Sequence, residues 1–226
     1  MMKIPGFPLF AGFLLFFGCA PTTKVPLEGT SRQTGEFAEQ VQQVATGHSR
    51  RIVIEDELVT DADLARLADL TDLRELTLRK TRVGDAGLAR LRKLVGLEKL
   101  VLGDTTVTDA GLKSLAGLRR LKILNLAGAD VTGAGLAELS DLRQLELLRF
   151  GRSRIGDDAL AHVDHWPELR SLIVQNAPIT DAGLAHLKDQ DLDALESLYL
   201  EGTEVTEAGL SDLQQARPKL HIHPHP

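Results

Sequence analysis

The chain has 226 residues, 43% of them apolar and only 4% aromatic, which is enough for one large domain with an aliphatic core. A net charge of −6 and a pI near 5.7 exclude general nucleic-acid affinity, which needs a basic footprint. The single cysteine, Cys19, excludes an intramolecular disulfide.

Residues 1–18, MMKIPGFPLFAGFLLFFG, carry one lysine, an apolar run from Leu9 to Phe17 and a small residue ahead of Cys19. The run is short for a bilayer span and reads as a secretory signal peptide. Cys19 at its end resembles the lipobox cysteine of bacterial lipoproteins; Gly18 fits that motif, while Phe16 departs from the usual leucine. The resemblance implies export across the inner membrane, acylation of Cys19 and anchoring in the cell envelope. Ala20, in place of an aspartate, implies the outer membrane. Two acyl chains at about 0.8 kcal/mol per buried methylene already hold a protein stably at a bilayer. Residues 19–35, with Pro21, Pro26, Gly29 and Ser31, read as a tether. In residues 36–48, Phe37, Val41 and Val44 at i, i+4 and i+7 predict an amphipathic helix capping whatever follows.

From residue 49 to 223 a unit of about 24 residues recurs seven times, starting at Ser49, Leu73, Leu97, Leu121, Leu145, Leu169 and Leu195. A closing half-strand, Leu220 to His223, and a tail, 224–226, complete the chain. In the unit LEKLVLGDTTVTDAGLKSLAGLRR, Leu100 and Leu102 alternate with Val101 and Gly103, which predicts a short strand with one buried face. Leu112, Leu115 and Leu118, three apart, predict a short helical segment. Thr108 stands at its N-cap and Asp109 at its positive end. Each half alone exposes an apolar side, so the units must stack in parallel to bury both. Gly87, Gly111, Gly135, Gly183 and Gly209 recur once per unit and read as close packing between repeats rather than as a phosphate loop.

The leucines, the T-D-A-G-L stretch and their spacing together resemble bacterial leucine-rich repeats, over residues 49 to about 223. The resemblance implies an α/β right-handed solenoid with a parallel sheet on the concave face and short helices on the convex face. Three departures stand out. The ninth repeat position, often Asn in that family, is Thr81, Thr105, Ala129, Ser153, Ala177 and Thr203; hydroxyls are expected to satisfy loop groups there and the alanines not. The Leu145 unit carries Phe150, Val163 and Trp166 in place of leucines. Asp191 and Leu192 fall in an insertion of about two residues.

Strand alternation points Val53, Thr77, Val101, Asn125, Arg149, Ile173 and Tyr199 outward, with Ile123 and Leu147 two places earlier on their strands. Ile123, Leu147, Ile173 and Tyr199 with Arg149 are expected to form an exposed apolar band holding one cation, a surface suited to protein binding. The charges of the first strands, including Arg51, Glu55, Glu75, Arg79 and Lys99, have mixed signs and are expected to pair across strands. A sheet roughly 35 Å long fits a protein or a cell-surface polymer better than a metabolite. His221, His223 and His225 alternate without a nearby carboxylate, and His162 and His165 lie on the predicted helical side, so no metal site is expected. No nucleophile motif, phosphate loop or paired-cysteine site is present, so neither catalytic residues nor cofactors are assigned. The expectation is a monomeric, non-enzymatic recognition protein. Two alternatives remain: a passive structural envelope lipoprotein and, less favoured, a ubiquitin-ligase-type substrate adaptor.

Overall fold

The computed structural model describes residues 33–224. Cys19, the signal segment, the tether up to residue 32 and His225 lie outside the described residues. Among those described, eight strands form one parallel sheet in chain order: β1 (Arg51–Glu55), β2 (Glu75–Arg79), β3 (Lys99–Val101), β4 (Ile123–Asn125), β5 (Leu147–Arg149), β6 (Ser171–Ile173), β7 (Ser197–Tyr199) and β8 (His221–His223). In register, Arg51 faces Glu75, then Lys99, Ile123, Leu147, Ser171, Ser197 and His221 follow across the sheet. The residues added between β6 and β7 therefore leave the pairing intact. They follow α6 (Asp181–Asp189), after which the Gln190 amide donates to the carbonyls of Leu160 and Ala161 at 3.2 and 3.0 Å.

The other helices are α1 (Gln33–Ala45), α2 (Asp85–Leu91), α3 (Asp109–Leu112), α4 (Gly133–Ala137), α5 (Asp157–Leu160) and α7 (Glu207–Ala216). Between sheet and helices the aliphatic ladder is sealed: Leu100, Leu102, Leu112, Leu115 and Leu118 are all 0% exposed. The irregular Leu145 unit keeps the same core with different shapes. Phe150, Val163 and Trp166 are buried, and the Trp166 indole donates to the Leu139 carbonyl at 3.0 Å.

The recurring T-D-A-G-L stretch is explained by a hydrogen-bonded ladder between units. Asp85 Oδ1 accepts from the Thr108 amide at 2.8 Å and its Oδ2 from the Thr108 hydroxyl at 2.7 Å. Asp109 does the same with Thr132, Asp157 with Thr180 and Asp181 with Thr206. Thr108 also caps its own helix, accepting from the Ala110 amide. A β-carbon on Gly111 would overlap the Asp85 carboxylate and come within 3.1 Å of Asp85 Cα. The glycine is thus the space into which the preceding unit's aspartate fits. Where no carboxylate lies beneath, the glycine is gone: the first unit has Asp63 there, bonding back to Thr60, and the Leu145 unit has Ala159 above Gly133. At that junction Gly156 also replaces the threonine, so the ladder is interrupted once, and Asp158 fills the room beside Gly133.

The Thr206 hydroxyl, then its amide, hold the Asp181 carboxyl below the ordinary carboxylate range. A depressed folded value means stability that is complete above the ordinary value of about 4 and lost as pH falls through the folded one. Thr206→Val is expected to move the Asp181 titration upward in carbon-detected NMR. An unmoved titration would contradict this origin of the shift.

After each of the first seven strands the chain turns through one residue in the left-handed region: Asp56, Lys80, Asp104, Gly128, Arg152, Asn176 and Gly202, with φ between 52° and 77°. The following hydroxyls donate to the carbonyl three residues earlier, as Thr105 does to Leu102 at 2.7 Å. The two alanines do not leave that carbonyl unmet, contrary to expectation. The Ala129 and Ala177 amides themselves reach the carbonyls of Leu126 and Val174 at 3.0 and 3.2 Å.

At the open side of β1 stands α1, which begins at Gln33 and ends at Ala45, three residues ahead of the predicted 36–48 at each end. Phe37, Val41 and Val44 are buried on the core, as their spacing implies. Gln40 supplies a contact that periodicity does not show. Its amide donates to the Val53 carbonyl at 2.9 Å and accepts from the Val53 amide at 2.7 Å, closing the free edge of β1 as a strand would.

Candidate functional site

The side chains leaving the sheet on the side away from the core lie in two rows fixed by the register. One row runs Ile123, Leu147, Ser171, Ser197; the other runs Asn125, Arg149, Ile173, Tyr199, His223. Ile123 and Leu147 are therefore neighbours, as are Arg149, Ile173 and Tyr199 in turn, and the five residues trace a diagonal. Ile123 and Tyr199 are three strands apart, about 14 Å at the usual strand spacing, and do not meet.

All five residues are half-buried rather than exposed, which corrects the expected exposed band. Neighbouring strands hold these side chains flank to flank, so each presents an edge instead of its whole surface. Tyr199 is further covered by His223, whose ring stacks on it at 4.3 Å between centroids and 6° between planes. Thr77, also read as outward, is closed at 7% exposure, and Ala127, two places after Asn125, at 6%.

Beyond the second row, the strand ends carry Arg79, Gly103, Ala127, Gly151, Gln175 and Glu201 on successive units. The three small residues are buried, and at Gly151 a β-carbon would strike the Gln175 carbonyl. Arg79 lies over Gly103, its Cγ 3.6 Å from the β-carbon position. Asp104 takes the Arg152 guanidinium at 2.8 Å, reaching past Gly128, and stands 4.0 Å from Arg79 Nε. Gly128 makes that reach possible, because a β-carbon there would strike the Asp104 carboxylate. Arg149 donates to Gln175 Oε1 at 3.3 Å, and Gln175 in turn donates to Glu201 at 2.8 Å. Burial, followed by the nearby Arg79 and Arg152 cations, pulls the Arg149 guanidinium below the ordinary arginine value, with Asp104 and Glu201 acting the other way. It remains a cation at neutral pH.

Sequence reasoning found Arg149 but placed Arg79 among solvated pairs and passed over Asp104 and Arg152. The available signal was three small residues at one strand position in consecutive units. Several of the remaining first-strand charges pair across strands, Arg51 with Glu75 at 3.8 Å, Lys99 with Glu75 at 4.0 Å and Lys80 with Asp56 at 3.2 Å, while Glu55 is exposed. His162 and His165 stack on each other at 5.6 Å in the segment after α5.

Comparison with known proteins gives a consistent picture of the scaffold. Residues 97–116 match the leucine-rich repeat family model, over the unit that contains Thr108 and Gly111. A search of curated proteins finds no match. Among solved structures, an internalin C2 from Listeria monocytogenes superposes with a TM-score of 0.58 at 25% identity, over 72% of this chain and 66% of that one. An internalin inlF from the same species gives 0.57 at 21% identity, over 78% and 53%. This chain spans less than two thirds of either. With eight parallel strands in one sheet and a short helix or turn per unit, the architecture is a leucine-rich-repeat solenoid.

Proposed function

We propose that this chain is a non-enzymatic recognition protein, held at the cell envelope through acylated Cys19, that binds another protein on its open sheet. The observation that carries this reading is the diagonal of Ile123, Leu147, Ile173 and Tyr199 with Arg149 on the outward side of a continuous parallel sheet. Aromatic, aliphatic and arginine side chains are the usual anchors of protein interfaces. The internalin likeness supports the scaffold of such a module.

Envelope extracts cross-linked to the full chain are expected to yield a saturable partner. The partner should be lost on Ile173→Asp or Tyr199→Asp while the thermal melt is unchanged. Retained capture would refute the site, and no saturable partner at all would favour a passive structural role. Mass spectrometry of the mature N-terminus is expected to find acylated Cys19. An unmodified Met1, or an unacylated terminus beyond Cys19, would remove the anchor.

A further inference from the structure

Among the described residues, Arg149 is a half-buried charge of the sheet whose bonding is incomplete. Its one hydrogen bond goes to a neutral amide oxygen at 3.3 Å, longer than the usual 2.7–2.9 Å of a charge-assisted bond. Its Nε is closed off from solvent and has no acceptor. The two carboxylates nearby are already taken, Asp104 by Arg152 and Arg79, and Glu201 by Gln175. Neither carboxylate is within ion-pair distance of Arg149, so among the described residues this half-buried guanidinium lacks a charged partner, on a chain whose net charge is −6, and an anion from outside would supply one.

The geometry also says what accompanies that anion. Ile173 and Tyr199 follow Arg149 in the same row, one and two strands on, at about 5 and 10 Å. Side chains two residues apart on an extended segment are separated by about 7 Å, between those two distances.

We infer that Arg149 anchors an aspartate or glutamate of an extended segment of the partner protein, with an apolar residue two positions away seated on Ile173 and Tyr199. This rests on the sheet-face reading above and specifies the partner's chemistry.

A random linear-peptide display library panned on the full chain is the test. Enriched peptides are expected to carry Asp or Glu two residues from an apolar side chain. A synthetic leading peptide should lose about thirtyfold in affinity on Arg149→Gln, the low end for a buried charged pair. The matching Glu→Gln change in the peptide should cost the same, and both changes together no more than either. Peptides that need Tyr199 but are indifferent to Arg149→Gln would overturn the acidic anchor and leave sheet recognition standing. Peptides indifferent to Tyr199→Asp would remove both readings. Should Arg149→Gln lower the melt, the substitution in the peptide decides alone.

Discussion

Phe37→Ala is expected to cost about 3–5 kcal/mol, the range for truncating a buried aromatic, and to lower the melting temperature on the order of 10 °C. Phe37 is 2% exposed, packs with Val41 and Val44 against the first unit and carries Arg66 over its ring at 5.8 Å. In a stack whose units touch only their neighbours, the terminal unit has half the contacts of an internal one and depends on its cap. Without Phe37 the helix loses its main apolar anchor, and Gln40 loses the platform from which it holds both polar groups of Val53. Melting followed by circular dichroism checks this; a shift below about 2 °C would show that α1 is not needed for the stack.

Gly111→Ala tests the ladder, and its expected sign runs against helix propensity. Alanine within a helix is favoured over glycine by about 1 kcal/mol. Here the new methyl lies against Asp85 Cα at 3.1 Å and displaces the Asp85 carboxylate from Thr108. Overpacking costs about 1–3 kcal/mol, and each lost bond to a charged acceptor about as much. The net expectation is destabilisation by at least about 2 kcal/mol. In a chain that already carries Asp85→Gly, the same substitution should cost close to nothing, as the natural Gly133 and Ala159 pair implies. Urea titration of the four proteins gives the coupling energy; additive costs would show that the aspartate and glycine do not share that space.

The parts legible in the sequence are those set by short-range period. The positions of Leu100, Leu102 and Leu112 follow from alternation and from spacing by three, and all three are sealed in the core. The Thr108 cap was legible for the same reason, because capping is local. What remained hidden depends on which unit lies beside which. Asp109 reads locally as a charge at a helix end, yet its two oxygens are spent on Thr132 of the next unit. Gln40 looks like a solvated helix residue until β1 is placed beneath it. The Arg79, Asp104 and Arg152 cluster draws on three units and reaches past Gly128 in a fourth, and no local window contains it. The half-burial of Ile123 and Tyr199 likewise follows from their neighbours across the sheet.

The single interruption of the aspartate ladder bears on how such a chain can be rearranged by duplication or grafting. The units from Leu73 and Leu97 each take the preceding unit's aspartate against their glycine and offer an aspartate to the next unit, so a copy of either can be inserted beside the other with the fit kept at both faces, whereas the unit from Leu121 takes a carboxylate but, with Gly133, offers none. The unit from Leu145 is not interchangeable with them. Moved behind the unit from Leu97, it would set the Ala159 methyl on the Asp109 carboxylate. Recombinants that keep Leu121 and Leu145 units together should fold, and those that separate them should require a compensating change at residue 159.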